Sequence, residues 1–269
     1  MSNEKKYTLI TGGSGGIGFE LAKIFAKNGH HLILVSRDQV ALEKAAAFLQ
    51  QQYHTEVLVI SKDLFIQENA SALYGEVKGR GLQVDILVND AGQGLYGEFA
   101  DTALEKELAI INLNIASLVT LTKFFLKDML QRGEGKILNL SSIASRLPGP
   151  WQSVYHATKA FVQSFTEAVR EEVKDKGIVI TALLPGATDT DFFRKAGMLQ
   201  SKVVQEGKLA PAGGVAQAGY DALMKGDDMV VAGAMNKMQA AMAAITPDET
   251  LAAKMYKQQA PVGHEEDKK

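Results

Sequence analysis

The chain has 269 residues, 46% of them hydrophobic, a formal net charge of −2 and no cysteine. That length suits a single α/β domain, the near-neutral charge argues against a nucleic-acid partner, and the lack of cysteine excludes disulfides, thiol catalysis and thiolate metal sites. With Met1 to Lys6 polar and no apolar run near the ~18 residues of a membrane span, a cytoplasmic protein without membrane contact is expected.

Tyr7–Thr11 is short, apolar and β-prone, and it runs into TGGSGGIG, residues 11–18, with glycine at five of the seven positions from Gly12 to Gly18. Each glycine loses more backbone freedom on ordering than any other residue, so such a run implies close approach to the backbone. Ile17, Leu21, Ile24 and Phe25 then recur at helical spacing up to an Asn28-Gly29 stop. The glycines therefore occupy a strand-to-helix turn, where unpaired N–H groups and the helix dipole suit a phosphate. The spacing is G-x-x-x-G-x-G at Gly12, Gly16 and Gly18.

His31–Ser36 reads as the second strand, and Asp38 as the N-cap of a helix carrying Val40, Leu42, Ala45, Phe48 and Leu49. Val57–Ile60 and Asp85–Asn89 are the third and fourth strands, and a long helical region covers about Leu104 to Gln131. Lys136–Ser141 and Ile178–Leu184 are strands separated by a helix through Val162, Phe165, Ala168 and Val169, and Met229–Val231 is a short last strand. Continuous apolar strands alternating with helices predict a Rossmann-type, doubly wound α/β fold, a parallel sheet with helices on both faces. One domain is expected over residues 1–262, with a substrate loop and lid at about 186–210, a C-terminal helical segment at about 234–258 and a polar tail at 263–269. Ligand should bind at the carboxyl ends of the strands.

In YHATKAF, Tyr155 and Lys159 are four apart and share one helix face. ILNLSSIAS places Ser142 thirteen residues upstream, at a strand end, and NDAG (Asn89 to Gly92) closes the fourth strand. Taken in order, the Gly12/Gly16/Gly18 turn, Asp63-Leu64, Asn89-Asp90-Ala91-Gly92, Asn114, Ser142, Tyr155 with Lys159, and Pro185-Gly186 resemble the short-chain dehydrogenase/reductase family over at least Tyr7 to about Phe193. LNIASLVTLT and the C-terminal region resemble its ketoacyl-type and DltE-like reductases. The resemblance implies hydride transfer between a nicotinamide and a carbonyl–alcohol pair. It further implies a dinucleotide held by Gly12, Ser14, Gly15, Gly16, Ile17, Gly18, Asp63, Leu64, Asn89, Ala91, Gly92, Tyr155, Lys159, Pro185, Gly186, Thr188 and Thr190.

Residue chemistry points the same way. Reduction needs a proton for the developing alkoxide, and the Tyr155 phenol can supply it. A free phenol has a pKa of ~10, which the ammonium of Lys159 is expected to lower. By the same resemblance Lys159 holds the nicotinamide ribose, and Asn114 bends its helix and holds a water linked to Lys159, with Asn112 the competing candidate. Ser142 would hydrogen-bond the substrate oxygen. His156 lies off the Tyr–Lys face and reads as structural. His30, His31, His54 and His264 lack ligand spacing, so no metal is expected. Asp90 departs from the family's usual asparagine, and Met235, Met238 and Met242 read as a packing stripe.

An acid at the end of the second strand selects the ribose of NAD, whereas an arginine accommodates the 2′-phosphate of NADP. Ser36-Arg37-Asp38 places the guanidinium of Arg37 there and assigns Asp38 to the helix cap, so NADP(H) is expected over NAD(H). Gly94-Leu95-Tyr96, Leu147, Trp151, Phe192, Phe193, Met198 and Leu199 are candidates for an apolar substrate pocket suited to a ketone, aldehyde or 3-oxo compound. The alternatives are an NAD-dependent alcohol or steroid dehydrogenase, and a dinucleotide-binding sensor without turnover. Leu118, Leu121, Phe124, Phe125, Phe161 and Phe165 suggest a homodimer or homotetramer, with the segment after Pro247 near the substrate loop or a subunit contact.

Overall fold

The computed structural model describes residues 5–263, so most of the predicted tail, including His264, lies outside the described residues. Seven strands, β1 Lys6–Thr11, β2 His31–Ser36, β3 Val57–Ser61, β4 Gln83–Asn89, β5 Gly135–Leu140, β6 Ile178–Leu184 and β9 Met229–Val231, form one sheet in the order β3-β2-β1-β4-β5-β6-β9. Every pairing is parallel. The strand order reverses between β1 and β4, which opens a crevice at their carboxyl ends. A second, two-stranded sheet pairs β7 Thr188–Asp189 with β8 Ala210–Pro211.

Helices cover both faces because the strands are apolar on both. On one face α1 Gly16–Lys27, α2 Gln39–Tyr53 and α9 Ala212–Lys225 bury Leu21, Phe25, Leu42, Leu49 and Leu223 against Ile10, Leu34 and Leu138. On the other, α3 Gln67–Gly79 and α5 Leu118–Arg132 bury Leu73, Val77, Leu121, Phe125 and Met129 against Leu9, Ile33, Leu87 and Ile137. Sequence periodicity did not pick out α3, whose buried face is only Ala70, Leu73 and Val77, with Gly75 and Gly79 interrupting the rest. The remaining helices are α4 Leu104–Ile111, α6 Ser153–Val173, the short α7 Phe192–Lys195 and α8 Lys202–Gln205, and α10 Ala234–Ala243 and α11 Asp248–Gln259 at the C-terminal end.

Several expectations about packing are corrected. Met235, Met238 and Met242 are exposed, Met235 by 70%, because α10 buries no residue of its own; they are no packing stripe. Val40 and Phe48 also stay largely outside, with the Phe48 ring 5.9 Å from that of Phe19 across the α1–α2 surface. Of the side chains assigned to subunit contacts, Leu118, Leu121 and Phe125 are buried in the chain's own core, so they cannot form an interface. The helical run 104–132, unbroken across a π turn, is long and apolar enough to cross a membrane, a span the apolar-run count had not registered. Its Leu121, Phe125 and Met129 are packed on the sheet, as in the core helix of an α/β domain.

Candidate active site

Thr11 ends β1 and fastens the glycine turn to the next crossover. Its Oγ1 accepts the backbone N–H groups of Asp90 and Ala91, each at 3.1 Å, and the N–H of Gly12 donates to Val35 O at 2.8 Å. Gly12 and Gly16 have φ of +73° and +56°, a region open to glycine. A Cβ on Gly12 would stand 2.6 Å from Asp90 Oδ2, and one on Gly18 would strike the same carboxylate. Two of the glycines thus make room for the protein's own Asp90. Gly15 is different: nothing lies within 4 Å of its Cβ position. The N-cap Gly15 offers α1 no capping side chain and no acid of the helix itself occupies its first turn; Asp90 takes up the Gly18 N–H, and the side of the turn at Gly15 stays open. This cradle fits a pyrophosphate. Ile17 packs back into the core, and the Thr190 methyl lies 3.3 Å from the Gly16 Cβ position, so the segment after β6 closes over the turn.

At the end of β2, Asp38 is committed to α2, its Oδ1 accepting the Ala41 N–H at 3.0 Å. Arg37 is half exposed, with its guanidinium 4.6 Å above the Phe65 ring and Nε 3.9 Å from Asp63 Oδ1. Asp63 Oδ1 also accepts the Phe65 N–H, and Leu64 is buried with its carbonyl accepting from Ser117 Oγ. Phe65 was missed in the sequence. Its only signal was position, directly after Asp63-Leu64.

A π turn, Asn112–Ser117, separates α4 from α5 and carries Asn114 into the crevice. Asn114 Oδ1 accepts the Gln93 N–H, and its Nδ2 donates to Gln93 O and Thr158 Oγ1, all at 3.0 Å. Asn112, the competing candidate, sits two residues earlier, where the widened turn begins. A Cβ on Gly92 would stand 3.3 Å from Asn114 Oδ1 and 3.4 Å from Lys159 Nζ, so Gly92 keeps the space between them open. Asn89 goes elsewhere: its Nδ2 donates to Thr122 Oγ1 and Asn139 Oδ1, tying β4 to β5 and α5 inside the sheet. Its side chain therefore does not reach the crevice.

β5 delivers Ser142, which caps a short 3-10 turn, Ile143–Arg146, by accepting the Ala144 N–H, and donates to Pro185 O at 3.3 Å. Tyr155 and Lys159 lie on α6, with Nζ 5.8 Å from the phenol ring centroid. Beyond Pro185, Gly186 lies against the Asn236 amide and its carbonyl accepts from Thr188 Oγ1. The Tyr155 ring packs on Phe192, 5.1 Å between centroids, and Tyr96 stacks on Trp151 at 5.6 Å. Phe193 and Met198 point instead into a small core of the segment itself, with Ala196, and Leu147 is buried with Leu251 and Met255 of α11. These three do not line the pocket. Leu199 is exposed.

Charge in the crevice differs from expectation. Burial pushes the Tyr155 phenol up to about 12, with a Ser142 hydrogen bond opposing, and the Lys159 ammonium donates to Leu140 O at 2.7 Å. Burial pushes Lys159 down to about 8 while Asp90 pulls it up. Burial raises the Asp90 carboxyl to about 7 against the Lys159 ammonium and a hydrogen bond from the Gly18 N–H. Between about pH 4, the unfolded carboxyl's value, and about pH 7 the fold therefore retains a proton that the unfolded chain has released. Stability consequently falls as pH rises through that window. Asp90→Asn removes this retained proton, so its Tm relative to the parent should climb from pH 4.5 to pH 8, at roughly 2–4 °C per kcal/mol. Scanning calorimetry across that range would show a constant difference if Asp90 does not titrate there.

The glycine turn, Asn114, Ser142, Tyr155, Lys159 and the Pro185-Gly186 corner thus gather at one end of the sheet. The family model described as short chain dehydrogenase matches residues 6–199. The very-long-chain 3-oxoacyl-CoA reductase of Rattus norvegicus is 34% identical over 189 residues, 67% of this chain, and the match spans 58% of that relative's length. An uncharacterized oxidoreductase of Staphylococcus epidermidis is 29% identical over 209 residues, covering 78% of this chain and 89% of the relative. Among solved structures, a short-chain dehydrogenase from Sphingobium yanoikuyae in complex with NADPH superposes with a TM-score of 0.81 at 28% identity, over 95% of this chain and 98% of the other. With the family model spanning the turn, the crossovers and the Tyr–Lys helix, this chain belongs to the short-chain dehydrogenase/reductase family.

Proposed function

We propose that the protein is an NADPH-dependent reductase that converts a ketone, aldehyde or 3-oxo compound to an alcohol. The observation that carries this reading is the meeting of Ser142, Tyr155 and Lys159 beside a glycine turn that is open at Gly15. A dinucleotide-binding sensor has no need of a proton donor at that place. The N–H groups around Gly15 and Gly16 hold the pyrophosphate, Arg37 meets the 2′-phosphate, and Lys159 holds the nicotinamide ribose. When bound, the nicotinamide supplies the hydride. Tyr155 gives its phenolic proton to the substrate oxygen, and a phenol held near 12 stays protonated, and so ready to donate, at neutral pH. Ser142 exchanges its long bond to Pro185 O for one to the same oxygen, where negative charge develops. A water in the space that Gly92 keeps open between Asn114 Oδ1 and Lys159 Nζ returns the proton from solvent.

Support for the NADP preference comes from Arg37 and from the use of Asp38 as a cap, which leaves no free acid at the β2 end. Support for a 3-oxo substrate comes from the relatives named very-long-chain 3-oxoacyl-CoA reductase and from the apolar walls Phe192, Tyr96 and Trp151. The test follows absorbance of NADPH, and separately NADH, with a panel of ketones, aldehydes and 3-oxoacyl thioesters. Consumption of NADPH in preference to NADH is the expected result, and no turnover of any carbonyl would sink the reading.

The working unit is proposed to be a homodimer or homotetramer in the cytoplasm. α4 packs beside α6, and together they leave Leu104, Leu108 and Phe161 exposed, with Phe161 stacked on Phe165. Light scattering at micromolar concentration should give a multiple of 29.0 kDa; a 29.0 kDa particle alone would refute the assembly.

A further inference from the structure

Gln152 carries a buried amide oxygen that nothing in the fold satisfies. The residue is 7% exposed and its Oε1 has no hydrogen-bond partner. A buried acceptor left without a donor is destabilising, so a native one calls for a reason. The oxygen lies 3.4 Å from the point a Gly94 Cβ would occupy, and Tyr155 Cδ2 lies 3.5 Å and Phe192 Cζ 2.9 Å from that same point. It therefore sits at the packed corner where Gly94, Tyr155 and Phe192 meet, next to the ring of the reacting phenol.

The direction of this amide is set by a chain of three partners. His156 Nδ1 is 2.9 Å from Leu147 O, which can only accept, so Nδ1 carries the hydrogen and Nε2 is left as the acceptor. Burial holds the imidazole below its usual pKa and so in this neutral form. Gln259 Nε2, 3.2 Å away, donates to His156 Nε2, which turns Gln259 Oε1 towards Gln152. Gln152 Nε2 donates to that oxygen at 2.9 Å, leaving its own Oε1 as the outward end of the chain. Gln259, the last residue of α11, is itself held by the Tyr96 hydroxyl, which donates to its carbonyl at 2.5 Å. Rotating the Gln152 amide would set two amide oxygens face to face, with no hydrogen between them. The fold thus presents an acceptor at this place and resists presenting a donor.

We propose that Gln152 is a specificity-determining residue whose Oε1 accepts a hydrogen bond from a hydroxyl or amide N–H carried a few atoms from the reacting carbonyl. Gln259 and His156 are positioning residues that aim it. The inference rests on the carbonyl-reductase reading. Two substrate types offer such a donor, hydroxyketones and thioesters whose thiol arm bears an amide, and matched pairs distinguish them. One pair is a hydroxyketone and its deoxy analogue. The other is a 3-oxoacyl thioester of N-acetylcysteamine and the same acyl group on a plain alkyl thiol.

The readout is the ratio of kcat/KM within each pair, measured with NADPH. The parent should prefer the donor-bearing member at least tenfold in one pair, and that pair names the source of the donor. A site built to hydrogen-bond a substrate group rejects the analogue lacking it because the buried acceptor is then left unpaired. Gln152→Met, similar in volume and without the acceptor, should bring the ratio to within twofold of unity. Gln259→Met, which leaves the pocket wall intact but frees the amide to turn, should lower the ratio at least threefold, and it keeps the test decisive if Gln152→Met fails to fold. A parent without preference in either pair, or a ratio unmoved by both variants, overturns the proposal. No turnover of any of the four compounds overturns the reductase reading along with it.

Discussion

Tyr155→Phe should lower kcat by ~10²–10⁴ and leave the fold and NADPH affinity in place. The ring keeps its contact with Phe192, 5.1 Å between centroids, and only the transferable proton is lost. Because burial holds the phenol near 12, the parent carries this proton throughout the neutral range, so the loss should be as large at pH 6 as at pH 8. Lys159→Ala should behave differently. Lys159 is buried, donates to Leu140 O and is electrostatically coupled to Asp90, so its removal leaves that carboxyl without its nearby cation. Turnover and dinucleotide affinity should fall together, whereas Ser142→Ala should mainly slow turnover. Steady-state kinetics with equilibrium NADPH titration separates these outcomes, and a Tyr155→Phe enzyme within a few-fold of the parent would remove Tyr155 from the proton-donor role.

How far this could be read without coordinates depended on which physics each residue obeys. Strands such as Leu32–Val35 are buried on both sides, so their continuous apolar runs located them to within a residue or two. The glycine turn, Ser142 and the Tyr155–Lys159 pair were legible because chemistry fixes both residue type and spacing. Contacts across the chain were not. Nothing in the sequence shows that Asn89 turns into the sheet, that Phe193 and Met198 pack on their own segment, or that Gln259 reaches Gln152 from 107 residues away. Charge was the least legible property. A phenol four residues from a lysine reads as an activated acid, but burial raises this one instead. α10 shows the converse failure, since its methionine periodicity is genuine but nothing within the described residues covers it.

Arg37→Ala should weaken NADPH binding about ten- to a hundredfold and leave NADH nearly unchanged. A charge-assisted hydrogen bond is worth roughly 1.5–3 kcal/mol, and ~1.4 kcal/mol is tenfold in affinity. Two features of the site set where in that range the effect falls. Stacking on Phe65 at 4.6 Å holds the guanidinium plane in place, which lowers the ordering cost of meeting a phosphate and favours a large loss. Asp63, with Oδ1 3.9 Å from Nε, competes for the same cation and would repel a 2′-phosphate, which pulls the loss towards tenfold. Arg37 is half exposed, so added salt should shrink the difference between the cofactors without changing its sign. Ser36→Asp combined with Arg37→Ala adds a ribose acceptor and a charge that repels the phosphate, and should tilt preference to NADH. Asp38 offers no shortcut to that switch, because its carboxylate caps α2 through Ala41 N. Fluorescence titration with both cofactors at two salt concentrations reads each of these effects. Equal losses for NADPH and NADH would mean that Arg37 serves the packing of Phe65 and not the phosphate.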